Sequence, residues 1–276
     1  MATSTTEAGK DMVRAHGSRI EALARLGYLG RAVVYFIIGG FALRAAVASG
    51  EPIGTEGAIR TVVGAQFGVV LLWALTASLA GFAIWRIVYG VMDPDRRGSG
   101  AKGWVIRIAS ILSAAIYAAL ALSTGRLALG LAASTGEKPH ESLVKMAFEA
   151  GFGLWLTYAV AALLLVVGIV YAVRGFGASF DKYMVLPAST LPWLRWTCQA
   201  GLVARGLVFA VLAWLLYGGA SSLSADATPG TEDALSAVLG WPYGHVLLAL
   251  MGIGLVAFGV FGLAQARYRR IDVENA

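Results

Sequence analysis

The chain of 276 residues contains one cysteine, Cys198, and three histidines, His16, His140 and His245, and only 14% of its residues are charged. A single cysteine excludes an intrachain disulfide and any multi-cysteine metal site, so Cys198 reads as a packing residue. None of the histidines has a partner at metal or haem spacing, which assigns them surface or interfacial roles. There is no His-Glu-x-x-His, no Gly-x-Ser-x-Gly and no Walker loop. Gly-Phe-Gly at 151–153 and at 175–177 lacks the strand-to-helix context of a nucleotide loop, and both copies read as hinges. These absences disfavour an enzyme and call for neither a cofactor nor a metal. The first 20 residues carry no small-residue cleavage pattern after a short apolar core, so the expectation is no removable signal peptide.

What the sequence has in abundance is apolar surface. Hydrophobic residues make up 58% and the mean hydropathy is +0.71, with runs of about 20 that suffice to cross a bilayer. Six spans are expected, near 28–49, 67–91, 105–126, 152–174, 198–219 and 244–265, and none contains Asp or Glu. The fold class is therefore all-α and polytopic. The net charge of +6 reads as topology rather than as a nucleic-acid surface. Segments before span one, between spans two and three, between four and five, and after six hold 14 Lys and Arg against 8 acids. The other three loops hold 3 basic residues against 8 acids. The positive-inside rule then places both termini in the cytoplasm of a bacterial inner membrane.

One stretch recurs. Gly27-Tyr-Leu-Gly-Arg-Ala-Val-Val-Tyr35 opens the first span and returns as Gly201-Leu-Val-Ala-Arg-Gly-Leu-Val-Phe209. A middle copy, Ala109 to Tyr117, keeps the aromatic but has Ser113 in place of Arg31 and Arg205. Gly, Arg and aromatic at four-residue steps share one helix face. Three copies imply a tail at 1–20, repeat one at 21–98, repeat two at 99–186, and repeat three with the carboxy-terminal tail at 187–276. Two spans per repeat give all three the same orientation, hence a pseudo-threefold axis along the membrane normal.

The loop within each repeat aligns without gaps. Ile59, Val62 and Val63 match Val144, Ala147 and Phe148, and then Leu235, Val238 and Leu239, each set at helical spacing. The reading is a short amphipathic helix on the outer face of every repeat. Glu56, Glu141 and Glu232 start these helices, where a carboxylate suits the helix dipole; an acidic ring at an outer entrance is the alternative. Gly64 with Gly68, Gly151 with Gly153 and Gly240 with Gly244 follow as hinges, the four-residue pairs suited to close backbone approach. Ser18 and Glu21 form a capping-box pattern that would start the first helix near Arg19. The eight tryptophans read mostly as interfacial belt residues.

The three two-span units, the Gly-x-x-[Gly/Ala]-Arg opening at Gly27 and Gly201 and the basic ending Ala266-Arg-Tyr-Arg-Arg270 resemble a bacterial family catalogued as domain of unknown function 1206, over about residues 20 to 271. The resemblance implies a six-span inner-membrane protein and supplies no activity.

Arginine is the costliest residue in hydrocarbon, at about 2.5–3.5 kcal/mol near the centre of a span. Arg25 and Arg44, like Arg107 and Arg126, are 19 residues apart and mark the two membrane surfaces. Arg31 and Arg205 lie inside those markers and read as the buried pair. Either their guanidinium groups reach down to lipid phosphates, steadied by Tyr35 and Phe209 one turn on, or they face inward and hold an anionic group with help from Ser113. The first reading is preferred. The functional expectation is a structural or interaction protein whose partners are membrane lipids, anionic ones included, and other membrane proteins, with no nucleic acid. Small-residue faces such as Gly252, Gly259 and Ala266 would serve those contacts. The alternative is a transporter or channel for a small solute, an anion being one candidate, along the pseudo-threefold axis.

Overall fold

The computed structural model describes residues 17–48, 52–55, 57–59, 68–93, 100–131, 153–178, 184, 191–219 and 231–269. Among the described residues seven helices carry the fold: α1 Gly17–Val47, α2 Gly68–Met92, α3 Ala101–Ala128, α4 Gly153–Phe176, α5 Leu191–Gly219, α6 Thr231–Leu239 and α7 Gly244–Tyr268. All but α6 are long and apolar enough to cross a membrane, which makes this a multi-pass membrane protein. The expected spans fall inside these helices, apart from a residue at each of two ends (67 and 152) and 48–49 after α1. However, α1 and α5 begin much earlier than apolarity alone suggests, because their basic first turns, Trp-bearing in α5, continue the same helix. Ser18 and Glu21 both lie inside α1, and the Glu21 carboxylate accepts hydrogen bonds from Arg25 Nε and Nη2 at 2.9 and 2.6 Å rather than capping the helix.

Helices pack in the order α3–α2–α1–α7–α5–α4. Three of these contacts join one repeat to the next (α2–α3, α4–α5 and α7–α1), and each uses small residues at equivalent positions. Ala83 and Ala114 are buried on α2 and α3. A methyl group on Gly168 of α4 would stand 2.8 Å from Gly206 O of α5, and one on Gly259 of α7 would stand 3.2 Å from Ala32 O of α1. With no bulk between them the backbones approach closely.

The ends of the same pairs opposite α6 are tied by a second threefold-related device. Helices end with unpaired carbonyls, which a nearby donor can satisfy. Arg25 Nη1 of α1 donates to Ala266 O and Arg267 O of α7 at 2.5 and 3.1 Å. At the equivalent place Arg107 Nη2 of α3 donates to Val91 O of α2 at 2.9 Å. In the third copy Gln199 Nε2 of α5 donates to Gly175 O and Phe176 O of α4 at 2.8 and 3.3 Å. Arg25 and Arg107, expected as surface markers, are thus also clamps between repeats. Gly175 is a packing position against Gln199 and Val203 rather than a hinge.

Within a repeat, α1 packs on α2 and α5 on α7, again through equivalent residues. A methyl group on Gly27 would strike the Phe82 backbone, and one on Gly201 the Phe258 backbone. One step further along, Gly30 meets Ser78 in the first repeat and Ala204 meets Gly254 in the third. Ser78 Oγ adds a hydrogen bond to Leu26 O at 2.9 Å. The middle repeat breaks this pattern. Its counterparts of Gly30 and Ser78 are Leu112 and Leu163, 51% and 48% exposed, and α3 and α4 do not pack along one another. Only 17% and 18% of the apolar cores of α3 and α4 are buried, against 50–56% in the other four spans.

The face of α7 expected to bind other proteins is occupied within the chain. Gly252 lies against Leu43 and Gly39 of α1, Gly259 against Phe36 and Ala32, and Ala266 is buried. That expectation is corrected: a small-residue stripe favours helix contact, and here α1 supplies the partner helix.

At the far end of the bundle α6 matches the expected amphipathic helix of repeat three. It buries Ala234, Leu235 and Val238 against α5 and α7, with Glu232 and Asp233 in its first turn. In repeat one Thr55 and residues 57–59 are helical, with Ile59 buried; Val62, Val63 and the counterpart in repeat two lie outside the described residues. The turn from α6 to α7 places Tyr243 at φ 59, and Gly244 fits it because a side chain there would strike Leu239 O and Val238 O. Gly244 therefore serves this turn, not the helix approach expected of a Gly240–Gly244 pair.

Candidate functional site

Arg31 and Arg205 stand at the midpoints of α1 and α5. Both face the bundle interior, not the lipid phosphates of the preferred expectation. The Arg31 guanidinium carbon lies 5.3 Å from the ring centres of Tyr28, Phe82 and Phe258, contributed by α1, α2 and α7. Its Nη2 donates to Gln265 Oε1 of α7. The Arg205 guanidinium carbon lies 4.2 Å from the Phe209 ring centre and 4.9 Å from that of Tyr35. The expected pairing of Arg205 with Phe209 is present, whereas Tyr35 serves Arg205 and not Arg31. Tyr35 is one turn beyond Arg31 but leans across to α5, so sequence spacing alone assigns it to the wrong cation.

A third arginine, Arg86 of α2, joins them. It is six residues from the end of its helix, lies 5.8 Å over the Tyr89 ring and is close enough to Tyr28, Tyr117 and Tyr171 to interact with them electrostatically. The expectation that Arg31 and Arg205 are the buried arginines omits it. Depth counting from the helix end, as applied to Arg31, would have found it. Arg269, just past α7, lies 5.6 and 5.5 Å over the same Tyr28 and Tyr89 rings. Cations and rings therefore run in the order Arg205, Tyr35, Phe258, Arg31, Tyr28, Arg269, Tyr89 and Arg86, a ladder from mid-bundle to the helix ends opposite α6.

Every spanning helix contributes an aromatic to this interior. Phe82 stacks edge-on against Tyr28 at 5.2 Å and against Tyr117 of α3 at 4.6 Å. Tyr35 meets Phe258 at 4.7 Å, and Tyr171 of α4 meets Phe209 and Phe258 at 5.7 and 6.0 Å. Trp85 is buried and donates from Nε1 to Tyr28 Oη at 3.1 Å, so it departs from the belt pattern, while the other seven tryptophans are exposed.

The energetics are unbalanced in one direction. A ring face offsets a desolvated guanidinium by about 2 kcal/mol, so the two rings at Arg205 compensate much of its insertion cost of about 2.5–3.5 kcal/mol. Donors aimed nowhere remain: among the described residues Arg31 Nε, Arg86 Nε and Arg205 Nη1, and Arg107 Nε nearer a helix end, are buried without a hydrogen-bond partner. Each such N–H costs about 1–3 kcal/mol. Among the described residues the one carboxylate in a spanning helix is Glu21, in the second turn of α1, and it is paired with Arg25. An arrangement of this kind is chemically suited to an anion.

Phylogeny enters at this point. The family profile described as Domain of Unknown Function (DUF1206) matches residues 26–93 and 200–269. The chain belongs to this family. The two matched regions are the first and third repeats, each carrying its interior arginine, and they narrow the resemblance expected over 20 to 271. The "Uncharacterized protein YxxB" of Bacillus subtilis (strain 168) is 27% identical over 260 residues, covering 93% of this chain and 94% of that protein, and so extends through the middle repeat. No solved structure matches.

Other expected site residues of this DUF1206 protein stand apart from the ladder. Ser113 is half-buried on α3 and is not hydrogen-bonded to Arg31 or Arg205. Glu232 is exposed at the start of α6, with its Oε2 3.4 Å from Gly54 N. Glu56 and Glu141 lie outside the described residues, as do His16 and His140. His245 Nδ1 is 3.1 Å from Ala46 O.

Proposed function

We propose that this protein binds an anionic group inside its helix bundle, held by Arg31 and Arg205 with Arg86 further along the ladder. On this reading it is a non-catalytic lipid-binding protein of the bacterial inner membrane, with both termini in the cytoplasm. One observation carries the proposal: buried guanidinium N–H groups of Arg31, Arg86 and Arg205 point to no partner, and the carboxylate that the spanning helices do hold, Glu21, is paired with Arg25. A phosphate or phosphodiester supplies both the missing charge and the missing acceptors. The second reading, passage of a small anion along the axis, draws on the continuation of the ladder to Arg269 and Arg86 at the inner end.

The test is thermal unfolding of the full chain in neutral detergent, with and without inorganic phosphate or phosphatidylglycerol, beside Arg31→Gln/Arg205→Gln. Wild type gains stability from the anions and none from phosphatidylethanolamine, and the variant loses that gain because its anion affinity falls by about tenfold or more. Equal shifts in the two proteins would refute the proposal. Anion flux into vesicles, abolished by the same substitutions, would favour the second reading.

A further inference from the structure

The middle repeat differs from its neighbours in a way that the interior charges make meaningful. In the first and third hairpins a small pair, Gly30 with Ser78 or Ala204 with Gly254, lets the two spans close on each other. Leu112 and Leu163 hold those places in α3 and α4, and the helices stand apart with both leucines about half exposed. The packing series is thus open at one seam. Just inside it stand Tyr117 of α3, whose ring meets Phe82 at 4.6 Å, and Tyr171 of α4, whose ring meets Phe209 and Phe258 at 5.7 and 6.0 Å. The outward residues around the seam, among them Ile108, Leu122, Val166 and Ile169, are exposed and apolar, and neither helix carries a charge between Arg107 and Arg126 or between Gly153 and Val173.

We infer that the α3–α4 seam is a lateral opening through which one anionic phospholipid seats its acyl chains against these leucine-bearing walls while its phosphate reaches the Arg86 end of the ladder. This rests on the interior being an anion site. A free anion needs no apolar slot, since the ladder already reaches the inner helix ends, whereas a lipid needs both an apolar slot and a cation. A second copy of the chain could cover the slot but brings no carboxylate in its spanning helices beyond the paired Glu21 to answer the guanidinium groups. Arg86 lies about 9 Å of helix rise inside the end of α2, a short inward draw for a headgroup phosphate.

Photolabelling of the full chain in phosphatidylethanolamine vesicles tests the inference, using phosphatidylglycerol with a diazirine in its acyl chain and the same diazirine on phosphatidylethanolamine as control. The expected result is labelling of Tyr117 and Tyr171 at least about tenfold stronger from the anionic lipid, while both lipids label outward Trp104 and Trp155 alike. Leu112→Gly/Leu163→Ser transplants the small pair of the first hairpin and should close the seam. Its interior label should fall about tenfold with the outward label unchanged, and inorganic phosphate should still stabilise it. The wild-type lipid comparison decides the matter even if that variant does not fold. Interior labelling equal for both lipids, labelling confined to outward positions, or loss of label on formation of a dimer through α3 and α4 overturns the inference. If the phosphate response persists through any of these, the anion site stands and the seam falls; if Arg31→Gln/Arg205→Gln keeps that response, the anion site itself falls.

Discussion

The first and third hairpins are close copies in space, and the second is a copy in sequence register only. α1 closes on α2, and α5 on α7, where Gly27 and Gly201 remove every side-chain atom from the path of the Phe82 and Phe258 backbones. In the middle repeat Ala109 is exposed and Leu112 and Leu163 replace the neighbouring small pair. Yet the contacts between repeats survive all round, with their small pairs and their clamps at Arg25, Arg107 and Gln199. The lesson is that the two sets of interfaces are separable: contacts between repeats hold the assembly, and contacts within a repeat decide where it is shut.

The strongest way to break the comparison is to load the tight positions. Gly27→Leu or Gly201→Leu forces backbone apart and should cost about 3 kcal/mol or abolish folding, read as thermal unfolding in detergent. Ala109→Leu, the same change at the exposed equivalent, should move stability by no more than about 0.5 kcal/mol. An equal loss at all three positions would show that the middle hairpin closes like the others.

The next effect tests the clamps. Arg25→Ala should cost about 2 kcal/mol, because it removes two charge-assisted bonds to helix-terminal carbonyls and the partner of Glu21. Arg107→Ala and Gln199→Ala, with one charged bond and two neutral bonds, should each cost about 1 kcal/mol. A smaller loss at Arg25 than at Gln199 would refute this ordering. The smallest effect is at Trp85→Phe, which removes the bond to Tyr28 Oη and should cost about 1 kcal/mol or less, with a loss of buried indole emission; Trp155→Phe on the exposed surface should leave stability unchanged.

The six spans, the three repeats and the amphipathic α6 were legible in the chain because each depends on local periodicity and length. Half of the site was legible too. Arg31 and Arg205 stand out as charges deep in apolar runs, and Phe209 lies one turn from its cation. Arg86 was hidden by its nearness to a helix end, Tyr35 was assigned to Arg31 instead of Arg205, and Trp85 was grouped with the belt. These errors share a cause. Spacing along one helix says which side chains share a face, but not which neighbouring helix that face meets.

The sequence by itself determined the number of spans, their common repeat and the presence of charges that hydrocarbon cannot solvate. Only the tertiary structure decided that the α7 small-residue stripe is covered by α1, that the guanidinium groups of α1, α2 and α5 meet rings from every spanning helix, and that the bundle is open between α3 and α4. The reason is that apolarity places a helix in the membrane, whereas in a medium as apolar as the helices themselves it is the size of a few contact residues that selects the partner.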